Sequence, residues 1–243
     1  MVRGFYQLGS GMLTQTQVLN TIANNIANSK TVGYKEQITL GSTFEEMMLS
    51  RVDGEYTEIG ETYMATVVDE HATLHTQGSF DTTGRSLDFA IVGEGFFAVE
   101  KDYGVAYTRN GSFDVDEEGY LVDVQGDRVL DINGNHIFLG TSDFTANEHG
   151  TLYIGDRVEQ IGLFNFNDYN ALTEVRDGYY QGGAAVAMDD YDIKWQTLEN
   201  SNVDMAQEMV EAIASQRSFQ YIAQAVNMYG DVLNRAASEL GKM

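Results

Sequence analysis

The sequence predicts an α+β chain: N- and C-terminal helices that pair as a coiled coil, and a central antiparallel β-rich domain. Two observations at the ends and one in the middle point there. Near the N-terminus, Met1, Phe5, Leu8, Met12, Gln15, Leu19, Ile22 and Ile26 recur at alternating steps of four and three, and seven of these eight are apolar. That spacing is a narrow coiled-coil seam rather than a broad core-facing stripe. The opposite surface is neutral and polar (Gln7, Ser10, Thr14, Gln17, Thr21, Asn24, Asn28), and Gly33 follows closely enough to end the helix. The C-terminal segment keeps the same alternation through Met205, Met209, Ala212, Gln216, Phe219, Ala223, Val226, Gly230, Leu233, Ala237 and Leu240. Val210, Ile213 and Ile222 widen its apolar face, and Ser201 with Asp204 three residues on reads as a capping box. Single amphipathic helices usually pack on their own domain. Seams at both ends of a sheet-like middle also suit helices that pair with each other and with neighbouring copies.

Between the ends, glycines at 104, 111, 119, 126, 134, 140, 150 and 155 punctuate β-favouring stretches. These are Val105–Thr108, Tyr120–Val124, His136–Leu139, Thr151–Ile154 and Ile161–Phe166. Asn110-Gly111 and Asn133-Gly134 are hairpin signals of the type I′ kind, whose two central residues need positive φ. Charge divides the chain in the same places. Residues 1–50 are net neutral, residues 51–185 carry −18 with 18 of the 25 glycines, and residues 186–243 carry −5. The expected organisation is residues 1–38 as an axial helix with its following loop and 39–64 as an extended connector. Residues 65–186 form the acidic β domain, and 187–243 a return segment with the second helix.

With 14 Lys and Arg against 37 Asp and Glu, the net charge is −23. Nucleic-acid binding starts from clustered cations that release counterions, so this balance argues against nucleic acid and equally against anionic lipid. The chain has no Cys, which removes disulfides, thiolate metal sites and thiol nucleophiles, and no Pro. Its longest apolar run, Ala184 to Met188, is far short of a membrane span. No apolar stretch follows Arg3 as a secretory signal would require, so an extracytoplasmic protein of this kind is expected to leave by another route.

Motifs with chemical meaning are few. Gly93-Glu94-Gly95-Phe96-Phe97-Ala98 fits a phosphate-binding fingerprint, with Asp114 and Asp116 about twenty residues on where a ribose-binding acid belongs. A pyrophosphate site needs a helix to start at those glycines, whereas Phe96–Glu100 is β-like, so a glycine-kinked strand is expected. Asp114, Asp116, Glu118 and Gly119 resemble the opening of a calcium loop, but Gln125 stands where the closing Glu belongs, which favours an acidic turn. His71 and His75 lie in an extended-looking stretch without a nearby third ligand. No catalytic, cofactor-binding or metal residues are expected.

The run Asn24-Asn25-Ile26-Ala27-Asn28, with Thr31 and Gly33-Tyr34-Lys35 after it and Ser10-Gly11-Met12 before it, resembles the N-terminal signature of bacterial flagellar rod and hook axial proteins. Leu198-Glu199-Asn200-Ser201-Asn202-Val203-Asp204 resembles the element preceding that family's C-terminal helix, and Glu208-Met209 and Gln216-Arg217 continue the likeness. Gln77-Gly78, Leu87-Asp88, Ala90-Ile91, Gly93 to Phe97 and Tyr107 to Phe113 resemble its shared β core. The resemblance implies a basal-body rod subunit of the distal or proximal type, exported through the flagellum's own type III channel. The partners it implies are further copies, other rod proteins, the hook protein and the export apparatus, with no membrane insertion.

On this reading the subunit interface comprises Phe5, Leu8, Met12, Leu19, Ile22, Asn24, Asn25, Ile26 and Asn28 of the first helix. The second contributes Met209, Ile213, Gln216, Arg217, Phe219, Val226 and Leu233. For the three asparagines, helix termination and register between subunits are both open readings. The rival classes are an acidic surface or adhesin-like β protein and a nucleotide-binding oxidoreductase.

Overall fold

The computed structural model describes residues 2–52, 56–140, 144–147, 149–176, 178–188 and 191–241. They form two compact units, each built from segments distant in sequence. One unit takes Met1–Ala27, Gln37–Leu74 and Asp204–Met243; the other takes Asn28–Glu36 and His75–Val203.

The helical unit contains α1 (Val2–Asn28), the long antiparallel hairpin of β1 (Gln37–Val52) and β2 (Tyr56–Thr73), and α2 (Met205–Leu240). The hairpin registers Gln37 opposite Thr73 and Val52 opposite Tyr56, so residues 39–64, read from sequence as a connector, are occupied largely by its strands. Helix α2 starts one turn later than the expected capping box. Its N-cap is Asp204, whose carboxylate accepts from the backbone N–H groups of Ala206 and Gln207 at 2.9 and 3.3 Å. Ser201 instead accepts from the Val203 N–H.

In the second unit short strands succeed one another. They are β3 (Phe80–Thr82), β4 (Phe89–Val92), β5 (Phe96–Lys101), β6 (Gly104–Thr108), β7 (Asp114–Val115), β8 (Leu121–Val122) and β9 (Arg128–Val129). There follow β10 (Thr145–Ala146), β11 (Thr151–Ile154), β12 (Arg157–Gln160), β13 (Leu163–Phe166), β14 (Thr173–Arg176), β15 (Tyr179–Gln181), β16 (Ala185–Ala187), β17 (Asp192–Trp195) and β18 (Thr197–Glu199). The largest sheet runs β14-β15-β6-β5-β9-β8-β7, with β13 also on β5 and β16 on β13, and every pairing is antiparallel. Strand β5 is its centre, with Phe96 to Val99 wholly buried. Phe89, Ile91, Phe97, Val99, Phe113, Leu121, Val129, Ile137, Leu139, Leu152, Ile161 and Leu163 share one continuous core.

Four turns of this unit repeat one construction: 116–120, 123–127, 131–135 and 147–151. In each, the first residue's N–H donates to the carbonyl of the fifth, and a glycine at the fourth position donates back to the first. The first side chain, Asp116, Asp123, Asp131 or Asn147, accepts from the fifth N–H at 2.7–2.9 Å. The glycines have φ between 65° and 92°, which in the first three makes a type I turn closed by a glycine bulge. The I′ expectation at Asn133-Gly134 is therefore corrected, because the preceding Asn does not take positive φ. Asn110-Gly111 is no such turn either. Gly111 is packed so tightly on the Phe89 carbonyl that a Cβ would lie 1.8 Å from its oxygen. Gly93 and Gly95, with positive φ, turn the chain between β4 and β5, so a strand follows where a phosphate cradle needs a helix.

Candidate assembly interface

Within the helical unit the two helices meet along a line that on α2 takes every seventh residue, 208, 215, 222 and 229. A Cβ on Gly4 would touch the Tyr229 ring, and one on Gly11 would touch Ile222, each 3.5 Å from its nearest atom. Ser215 donates to Gln15 Oε1 at 2.7 Å, and Asn25 Nδ2 donates to Glu208 Oε1 at 2.8 Å. As the α1 number rises the α2 number falls, so the helices run antiparallel. At the two glycine levels a Tyr and an Ile lie against α1, while amides, a hydroxyl and a carboxyl fill the others. Hydrophobic periodicity does not register such residues, so it leaves Gly4, Ser215 and Glu208 unmarked. On α2 the seven-residue step through Glu208, Ser215, Ile222 and Tyr229 is the signal that could have found the latter two.

Of the sequence-derived interface residues, Ile22 and Asn25 are buried, and Leu8, Met12, Leu19, Ile26, Asn28, Phe219 and Val226 are partly so. Phe5, Asn24, Met209, Ile213, Gln216, Arg217 and Leu233 are exposed, with Phe5, Met209 and Ile213 about half uncovered (50%, 48% and 53%). Tyr6, Leu13, Val210, Tyr221, Met228 and Val232 join them at 61–69%, so both helices carry a second, uncovered apolar surface. Thr21, expected on the polar outer face, is buried and shares a 2.8 Å hydrogen bond with the Thr39 hydroxyl.

Asn25 acts within the chain. Its Oδ1 accepts from the Gln37 N–H at 3.0 Å, and its Nδ2 donates to the Gln37 carbonyl and to Glu208, both at 2.8 Å. One amide thereby holds the end of α1, the start of β1 and the first turn of α2 together. Asn28 accepts from Thr31 through both its carbonyl and its Oδ1, as a helix terminator does.

The second unit ties the loop after α1 into the segment before α2. Lys35 Nζ donates to Glu199 Oε1 at 2.7 Å and to the Thr76 carbonyl at 2.8 Å. Arg109 reaches Glu199 Oε2 at 3.4 Å, and the Gly78 and Gly33 N–H groups donate to Glu199 Oε1 and to its carbonyl. All three charged side chains are buried, two cations on one carboxylate. Burial lowers the pKa of both cations while Glu199 opposes it. Gly33 is required here twice over: its φ is +70°, and a Cβ would lie 2.6 Å from Arg109 backbone. His75 packs among Phe96, Tyr169 and Tyr180 at 5.0–5.6 Å. Burial and then the nearby Arg109 and Lys35 push its pKa down to about 4.

The acids of the calcium-like stretch are used locally. Asp116 caps its turn, and Arg128 pairs with Asp116 at 3.8 Å and Glu118 at 2.5 Å. Among the described residues no group of His, Asp and Glu is arranged to hold a metal ion.

Residues 5–35 match the flagella basal body rod protein family, 90–154 the flagellar hook protein FlgE/F/G D1 domain, and 196–239 the flagellar basal body rod FlgEFG protein C-terminal family. Flagellar basal-body rod protein FlgG of Bacillus subtilis is 32% identical, over 96% of this chain and 97% of its own length. FlgF of Caulobacter vibrioides is 31% identical over 96% of both chains, and FlgF of Mesorhizobium japonicum 30% identical over 99% of both. The three matched segments are the two helices with their flanking loops and the core of the β unit, and the likeness to the relatives spans nearly the whole chain. The protein therefore belongs to the flagellar basal-body rod protein family.

Proposed function

We propose that the protein is a structural subunit of the flagellar basal-body rod, placed in the hook–basal body, and that α1 and α2 pair as an antiparallel coiled coil whose outer faces are completed by neighbouring subunits. The observation that carries this is the uncovered apolar surface on both helices. Phe5, Leu13, Met209, Val210, Ile213, Tyr221, Met228 and Val232 are all largely exposed. Full burial of such a side chain contributes about 1.5–3 kcal/mol. Eight half-exposed ones therefore offer several kcal/mol to an assembly and nothing to a lone subunit.

A rod is an open helical tube, which needs contacts that repeat without closing into a ring. Antiparallel helices with apolar outer faces supply such contacts, while the acidic β unit carries most of the chain's negative charge. That like charge keeps unassembled subunits apart and is screened by salt, so assembly strengthens as ionic strength rises. Other rod proteins and the hook protein continue the shaft at its ends, and the flagellar export apparatus delivers the chain. The function is mechanical and needs no catalytic step.

Electron microscopy of a deletion strain tests this. Basal bodies that stop before hook formation are expected, restored by the wild-type gene. Complete flagella in the deletion strain would refute it.

A further inference from the structure

Glu208 sits where an acid is costly. It is 5% exposed, on the first turn of α2, facing α1. Its Oε1 accepts from Asn25, while its Oε2 is buried with no hydrogen-bond partner. Neutral groups face it from the packed elements: the Asn25 amide of α1, itself engaged to the Gln37 backbone at the start of β1. On its own helix stands another acid, Glu211. Among the described residues no cation pairs with it.

We infer that the Asn25–Glu208 contact is a proton-controlled joint of the helix pair, with Glu208 protonated when the helices close on each other and ionised when they part. An ionised carboxylate held out of water with a single donor loses more solvation than that donor returns. Protonation cancels the charge, and the hydrogen bond from Asn25 to Oε1 survives it. The helix dipole at the first turn and the Asn25 hydrogen bond both favour the carboxylate. Burial outweighs them and pushes the Glu208 carboxyl above the ordinary range, with Glu211 adding to the effect. The sign follows from that. Pairing is strongest below the ordinary Glu value and is lost as pH rises through the raised one.

The joint lies on the helix pair that the proposed rod contacts would extend, but its test needs only the free subunit. Amide exchange is followed in the full-length chain at a concentration where it stays monomeric, between pH 8 and 4, a range that reaches below the ordinary Glu value. Protection factors, which remove the intrinsic pH dependence of exchange, are compared for residues 20–27 and 205–215. Protection in the wild type should climb as pH falls, about tenfold for each unit by which the pKa is raised. In Glu208→Gln, which keeps the acceptor and removes the charge, protection at pH 8 should match the wild type at pH 4 and stay flat. A flat wild-type profile would overturn the joint, as would Glu208→Gln losing protection at these residues while amides of the β unit keep theirs. Polymerisation of the same samples, followed separately by sedimentation, bears on the rod reading alone.

Discussion

The two units solve the burial problem in opposite ways. The β unit closes on itself: its core is a continuous cluster of Phe, Ile, Leu and Val with little or no exposure. In the helical unit Ile22 is buried to that degree, while a dozen large apolar residues remain exposed. One unit has a closed core of its own, with its exposed apolar residues, such as Val124 and Val158, outside it. The other is held in shape by a short polar stitch through Thr21, Asn25 and Glu208, and its exposed apolar faces are the ones proposed to meet neighbouring copies. On the proposed function, stability and assembly are thereby separated: the β unit can be rigid while the helices exchange solvent for neighbours.

The largest expected effect falls on the β unit. Glu199→Gln leaves Lys35 and Arg109 buried without a counter-charge and should cost about 3–5 kcal/mol. Chemical denaturation followed by Trp195 fluorescence reads this, and a loss below about 1 kcal/mol would show that the network is not what ties the loop after α1 into this unit. Acid should act next. His75 titrates near 6.5 when unfolded and at about 4 when folded. Its contribution is therefore intact above pH 6.5 and declines as pH falls toward 4, by up to about 3 kcal/mol. His75→Phe, which keeps a ring among Phe96, Tyr169 and Tyr180, should flatten that part of the stability–pH curve. The helical unit has the opposite sign through Glu208, so mild acid should tighten one unit while loosening the other.

A smaller effect probes the helical unit. Gly9 and Gly230 lie inside helices, and a methyl group added at either would have nothing within 4 Å. Gly9→Ala and Gly230→Ala should each stabilise the free subunit by about 0.8–1 kcal/mol through helix propensity alone. Destabilisation would mean that side chains cover these positions in the monomer. Smallest of all in the monomer is Val210→Asp: on an exposed site it should change subunit stability by about 0.5 kcal/mol or less. It should nevertheless abolish sedimentable polymer, whereas polymerisation at the wild-type concentration would remove that face from the interface.

Both helices and several strands are legible in the sequence because their signals are local. Thr151–Ile154 forms β11 with the expected bounds, and apolar spacing locates both helices. The contact line between the helices is not legible from hydrophobicity, since Gly4, Gly11, Asn25, Glu208 and Ser215 contribute shape and hydrogen bonds rather than apolar area. The turns mislead because Asn-Gly suggests type I′, whereas the governing pattern is an Asp or Asn three residues before Gly. Lys35, Arg109 and Glu199 are separated by scores of residues, so only the fold brings them together. For Asn25 the sequence leaves helix termination and register between subunits both open; in the structure it bonds Gln37 and Glu208 of its own chain, contacts that no local pattern announces.

Residue-resolved amide exchange of the free subunit and of assembled rods compares the two units directly. Protection across residues 5–27 and 205–239 should rise by orders of magnitude on assembly, while that of residues 87–163 stays as it was. Equal protection of the helices in both states would contradict the view that neighbouring copies complete them.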